Sequence, residues 1–252
     1  MSTYRFGKHP VKHDYRTLRL KNYLGTKNAD LAAPPAHYDV LKLVHDKVGA
    51  VPNADLFPMD GNDTYGDCTI AALAHAVTVN RALADNEKKI MTTQAVERLY
   101  FRLSGGVDSG LVELDVLNYW RKHQVAGGSL LAYASIDAKN HTHIKQALQI
   151  FRGVYLGFQC QKNCVEDFSA GKAWTPGKLT NDGHAVYAVG YDKEGVTVLT
   201  WGGTQRGTWA WWDECVDEAY ALIPTEAKDP DFSPGFNLAQ LKADLKQLTD
   251  PD

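Results

Sequence analysis

Apolar positions change period half-way along the chain. From residue 68 to about 84, Ala71, Leu73, Val77 and Leu83 recur at helical spacing and give one apolar face, which Asp85-Asn86 ends. A second helix follows Thr92, a suitable amino-terminal cap, with Val96, Leu99, Tyr100 and Leu103 on its buried side and Gly105-Gly106 as its stop. A third is predicted over about 113–123. After a further helix at about 144–151, the pattern shortens. Gly153 to Phe158 reads as a strand, and Ala185 to Gly190 with Val196 to Trp201 read as a hairpin around Asp192-Lys193-Glu194-Gly195. Helices first and a mainly antiparallel sheet second define an α+β chain.

The flanks differ from this core. Residues 1–57 carry charge and proline, including Ala33-Pro34-Pro35, and only short apolar patches such as Tyr38 to Val44, as expected of an arm laid over a core. The core spans 58–225, a helical lobe over about 58–125 and a β lobe over about 126–225. In the tail, 226–252, Leu238, Leu241, Leu245 and Leu248 form one face of a last helix, expected to dock on its own domain rather than on a partner. A chain of 252 residues with 44% hydrophobic content fills a sizeable core. With 27 basic and 30 acidic residues the net charge is -3, which supplies no broad basic surface for nucleic acid and none for a membrane. The stretch MSTYRFGKHPVKHDYR places charges and a proline where a secretory signal has an apolar centre, so the expected location is cytoplasmic, or outside the cell by a route needing no signal.

The chemistry concentrates at Gly61 to Val77, GNDTYGDCTIAALAHAV. A polar, glycine-punctuated loop delivers Cys68 to the first turn of an apolar helix, where unpaired amides and the helix dipole favour thiolate. Asn62, six residues upstream, can bring its side-chain amide beside the Cys68 backbone amide to hold an oxyanion. Of nine histidines, His9, His13, His37, His45, His123, His141 and His143 fall in segments read as surface, and His75 lies about 10 Å along the same helix as Cys68, in the core. His184 differs. Asp182-Gly183-His184 opens the strand AVYAVG, and a strand start can present an imidazole to a cleft. The remaining cysteines, Cys160, Cys164 and Cys215, are too few for a disulfide scaffold; Cys160 and Cys164 lack a second ligand pair at zinc-like spacing and read as two unrelated loop residues. Trp209-Ala210-Trp211-Trp212 alternates like a strand packing a sheet, and Cys215 reads as a small buried residue.

Gly61 to Ala72 resembles the nucleophile motif of papain-like cysteine peptidases, with Asn62 where that family usually has Gln. Gly183-His184-Ala185-Val186-Tyr187-Ala188-Val189-Gly190-Tyr191 resembles the family's histidine strand, and His184 follows Cys68 at the family's approximate separation. The segments 92–106 and 116–125 resemble the next helices of its helical lobe. The resemblance covers about 55–225 and implies a papain-like fold with a cleft between the lobes. It also implies a Cys68–His184 dyad with Asn62 as oxyanion donor, and no cofactor or metal. The family's Asn-Ser-Trp-Gly is here Leu199-Thr200-Trp201-Gly202. Counting from His184 places Thr200 at the orienting position, with Trp201 as a water shield; aligning the Trp-Gly pairs would place Leu199 there. The family's glycine-rich substrate strip has only a loose counterpart in Val107-Asp108-Ser109-Gly110.

What the resemblance implies is hydrolysis of a peptide or isopeptide bond in a peptide or protein substrate through a thioester, by a divergent bacterial or phage type of the family. Two other readings stay open. Tyr65-Gly66-Asp67-Cys68 also resembles the motif of cell-wall Cys-His amidohydrolases, which implies a peptidoglycan substrate. The altered third position fits a scaffold that binds without catalysing. The arm is either a structural extension or an inhibitory pro-segment, and the arm or the last helix offers a surface to a protein partner.

Overall fold

A computed structural model describes residues 4–25, 33–88, 91–225 and 235–249. Helix α1, Val40–Val48, and the short α2, Asn53–Leu56, precede the long α3, Cys68–Asp85. Asn86, in the left-handed region at φ 57°, closes α3. Helix α4, Thr93–Leu103, starts at Thr92, whose hydroxyl accepts from the Ala95 amide at 3.2 Å, and α5 spans Glu113–Lys122. Strands β1, Leu18–Arg19, and β2, Tyr38–Asp39, come from the amino-terminal segment. Strands β3, Leu130–Ser135, β4, Val154–Gln161, β5, Leu179–Tyr191, β6, Gly195–Thr200, β7, Gly203–Thr208, and β8, Val216–Pro224, come from the second half.

These form one eight-stranded sheet in the order β1-β3-β8-β4-β5-β6-β7, with β2 also on β5. The described pairings are antiparallel except β1 with β3. This is the α+β architecture expected. The central strands read as unbroken apolar runs because both faces are covered. Val154, Leu156, Phe158, Val186 and Ala188 enter one core, while Tyr155, Ala185, Tyr187 and Val189 enter the other, beneath α1, α3, α4 and α5. Val40 and Val44 are fully buried in that second core, so the segment around 38–48 is part of the helical lobe's packing.

Three sequence expectations change. Trp209–Cys215 is a helix, α8, not a strand. Trp211 and Trp212 are nonetheless fully buried, because the Thr208 hydroxyl caps the Trp211 amide and turns the chain before any strand partner is met. His141 and His143, read as surface residues, sit half-buried in the first turn of α6, His141–Phe151, capped by Asn140; His141 Nε2 lies 2.7 Å from Asp213 and its ring stacks on Trp209. Cys160, in β4, and Cys164, opening α7, Cys164–Ser169, are both buried free thiols in one core, where burial and then the Cys164 thiol push Cys160 up, not unrelated loop residues. Cys215 is buried as expected. Among the described residues no helix is long and apolar enough to cross a membrane.

The tail helix α9, Leu238–Thr249, docks on the sheet lobe, with Leu238, Leu241 and Leu245 buried in its core and Leu248 38% exposed. Leu241→Ala is therefore expected to cost about 2–4 kcal/mol in denaturant unfolding and Leu248→Ala less than about 0.5. Equal effects would mean that the helix does not rest there.

Candidate functional site

The loop before α3 is built from its own backbone. Thr64 and Tyr65 amides both return to the Gly61 carbonyl at 2.8 and 2.9 Å, and the Asn62 amide reaches Met59 at 3.1 Å. This tight turn sets Asn62 beside the helix start. The first helical acceptor is the Asp67 carbonyl, bonded by Ile70 and Ala71, so the amides of Cys68 and Thr69 have no acceptor within the helix. Cys68 itself is 1% exposed. The backbone amides of Ala185, from β5, and Gly7, from the amino-terminal segment, favour its thiolate. Ala185 directly follows His184, so α3 meets β5 one residue beyond the sequence-predicted histidine.

His184 is anchored on the far side of its ring. Its Nε2 lies 2.7 Å from the Thr200 hydroxyl, and the ring stacks on Trp201 at 4.4 Å between centroids. The Nδ1 atom is buried with no hydrogen-bond partner among the described residues. Trp201 and Gly202 are the two-residue loop of the β6–β7 hairpin, and both have positive φ, 46° and 75°. Glycine suits such a turn; tryptophan does not, and holding it there costs about 1–3 kcal/mol. The ring it places over His184 keeps water from the Thr200 contact. The gapless count that selected Thr200 matches this geometry, whereas Leu199 pairs with Tyr187 within the sheet and packs in the opposite core.

Electrostatics follow from dryness. Burial pushes the Cys68 thiol up to about 12, against the two amides that favour thiolate. Burial lowers His184 to about 3. Asp67, next to Cys68, is raised to about 8 by burial and then by Asp60, so at neutral pH it is mostly uncharged and adds little repulsion to a neighbouring thiolate. The resting pair is thus a neutral thiol and a neutral imidazole. Among the described residues no group of three or more His, Cys, Asp or Glu is arranged to hold a metal ion.

What fills the cleft is the chain's own amino terminus. The Arg5 amide donates to the Asn62 carbonyl at 2.9 Å, and the Asn62 side-chain amide donates to the Arg5 and Tyr65 carbonyls, each at 3.1 Å. Lys8 donates to the Gly183 carbonyl at 3.0 Å, Leu111 to Gly7 at 2.8 Å and His9 to Leu111 at 2.9 Å. Lys8 and Leu111 form a parallel bridge. The edge after Val107-Asp108-Ser109-Gly110 thus holds an extended peptide, although it lacks the glycine-rich pattern. Asp108 fixes that edge by accepting from the Gly66 amide at 2.9 Å and the Tyr100 hydroxyl at 2.6 Å. Tyr4 stacks on Trp201 and Phe6 meets both His184 and Trp201 edge-on. His9, expected at the surface, is half-buried with Nε2 on the Ser109 carbonyl, a second anchor for the segment.

Sequence reading missed Gly7, Lys8 and Asp108. Little in their local pattern marks them, since most of their partners lie tens to hundreds of residues away. His75 is, as expected, a core residue, donating to the Pro58 carbonyl at 3.1 Å.

No family model matches the sequence, and no curated protein matches it either. Solved structures do match in shape. Xylellain, a cysteine protease from Xylella fastidiosa, superposes with a TM-score of 0.66 at 17% identity, over 88% of this chain and 97% of that one. Procathepsin L2 from the larval midgut of Tenebrio molitor gives 0.56 at 16% identity, over 88% and 79%. ProCathepsin B from Trypanosoma congolense gives 0.55 at 8% identity, over 88% and 87%. At these identities the likeness is one of fold, and the fold of this chain is that of the papain-like cysteine proteases.

Proposed function

We propose that the protein is a cysteine peptidase, hydrolysing peptide or isopeptide bonds at Cys68, held latent by residues 4–9. The observation that carries this reading is the company of Cys68. A thiol at a helix start faces the strand of an imidazole that is tethered through Nε2 and has a partnerless Nδ1, while the oxyanion donor Asn62 already binds a peptide carbonyl. The same cleft holds an extended peptide by backbone hydrogen bonds on both walls. Two of the structurally similar proteins are procathepsins, which agrees with a latent form.

With the segment gone, water and substrate enter and the burial that keeps both groups neutral is relieved. His184 Nδ1 takes the Cys68 proton, and the thiolate attacks the carbonyl carbon. The Asn62 side-chain amide and the Cys68 backbone amide hold the oxyanion as the tetrahedral centre forms. His184 returns its proton to the leaving amine, and water then hydrolyses the thioester. Thr200 fixes the imidazole tautomer and direction throughout and touches no reacting atom.

Latency depends on Gly7. A Cβ there would lie 1.7 Å from the Gly66 carbonyl oxygen, within the loop that carries Cys68. Gly7→Ala in the full chain is expected to expel the segment. In the wild type, a thiol near 12 leaves about one thiolate in 10⁴ at pH 8, so iodoacetamide labelling of Cys68 is slow and rises tenfold per pH unit towards pH 12. In Gly7→Ala, labelling is expected to be at least about 100-fold faster at pH 7 and to level off below pH 8. Identical slow profiles would remove the latent-peptidase reading.

Thr200→Val in the Gly7→Ala background takes one hydrogen bond from an imidazole that is charged during the reaction. It is expected to lower kcat/KM on a fluorogenic peptide mixture about 10- to 100-fold, with Cys68→Ser inactive. Rapid labelling of Cys68 without turnover of any peptide would instead favour a scaffold that binds.

A further inference from the structure

Beside the cleft lies a pocket whose chemistry the peptide-hydrolysis scheme does not use. The Lys8 side chain, 1% exposed, leaves the cleft-filling segment and runs into it. Its Nζ lies 3.0 Å from Asp217 and 3.0 Å from Glu218, and also reaches the His9 carbonyl at 3.3 Å. Glu113, from the first turn of α5, is fully buried, and neither of its carboxyl oxygens has a hydrogen-bond partner among the described residues. Glu218 leans on the Tyr220 hydroxyl at 2.8 Å through its other oxygen. Asp217, with its side chain 37% exposed, stands at the mouth.

The depth of the pocket comes from Gly157 in β4, which pairs with Ala185 on one side and Glu218 on the other. A Cβ at 157 would meet Lys8 Cε at 1.9 Å and Glu113 Oε1 at 2.7 Å. The absence of a side chain there is what admits four methylenes and a charged head.

Two carboxyl groups pair with one ammonium and a third, Glu113, acts on it through space, which is more than an internal ion pair requires. Burial opposes the charge on Lys8, yet Glu113, Glu218 and Asp217 together raise its pKa. Burial, then Glu218, drives Glu113 well above the carboxylate range, and its two oxygens stay unpartnered while Asp217 and Glu218 pair with the ammonium. A guanidinium, with five N–H donors, has acceptors to spare here. The pocket is also in register with the chemistry. Lys8 donates its amide to Gly183, the residue before His184, and the adjoining Gly7 amide favours the Cys68 thiolate.

We infer that this pocket is a specificity site for a basic side chain, Lys or Arg, carried by a substrate peptide near its scissile bond, and that Lys8 occupies it in place of substrate. The inference rests on the peptidase reading for the word substrate, but not for the cation site itself.

Two measurements on the full chain test it. In Lys8→Ala, n-propylammonium replaces the missing methylenes and charge. At about five times its Kd it is expected to raise Tm by about 2–4 °C, while n-propanol does not, nor does either ligand in the wild type. The shift is expected to vanish in Lys8→Ala/Glu218→Gln or, should that protein not fold, in Lys8→Ala/Asp217→Asn. An equal shift with propanol, or no shift with the amine, overturns the site. In Gly7→Ala, peptides with Lys or Arg at the two positions before the scissile bond are expected to be cleaved at least about tenfold faster than those with Leu or Glu. Cleavage of all four alike overturns the specificity. Amine binding without turnover of any peptide would support the cation site and count against the peptidase.

Discussion

Everything at the site depends on one contact, the amino terminus of α3 set against β5, with Cys68 and Ala185 in one core and the Ala185 amide favouring the Cys68 thiolate. A helix start supplies amides with no internal acceptor, and a strand supplies a rigid line of residues at fixed spacing. Joining them sets the thiol against the backbone of the residue that follows His184. Helix α3 packs on β5 and β6 with an apolar face continuous with the second core, so this junction is held by the burial that stabilises the helical lobe as a whole.

Such a junction is dry, and dryness works against charge. A thiol pushed to about 12 and an imidazole lowered to about 3 form a resting pair without ions. The segment of residues 4–9 maintains that state by filling the groove with backbone, where its amides and carbonyls satisfy Asn62, Gly183 and Leu111. In the proposed enzyme, a substrate makes use of the same hydrogen-bonding edges, and admission of water to the pair is what separates the two states. Lys8 adds a side-chain anchor to that backbone fit, because a buried ammonium with three carboxyl neighbours is costly to leave half-seated.

The hairpin turn at Trp201-Gly202 shows strain spent in one place for order in another. A tryptophan at positive φ is held by Tyr4, Phe6, Phe168 and Trp174 around its ring, and in return it lies flat on His184. Thr200, one residue before, then meets Nε2 from a β6 position that the pairing with β7 fixes.

Much of this was legible in the chain. The helix over 68–85, its Asn86 stop, the Thr92 cap, the hairpin around 192–195 and the docked leucine row of the tail all follow from local periodicity and caps, which act over a few residues. Cys68, His184, Asn62 and Thr200 were legible as residue types at telling positions. Where a local signal was ambiguous, tertiary contacts decided: Trp209–Cys215 alternates like a strand but coils because Thr208 caps it and the core accepts its indoles. Nothing local could show that Gly7 presses on Gly66, or that Lys8, Glu113, Asp217 and Glu218 share one pocket. Those contacts span about 60 to 210 residues, and each depends on the absence of a side chain, at Gly7 and at Gly157, whose meaning appears only when the opposite wall is in place. The sequence by itself determined the elements and the chemical groups, since propensity, capping and period are properties of neighbouring residues. The tertiary structure alone decided what occupies the cleft and which charges meet, since burial and Coulomb interaction depend on distance in space.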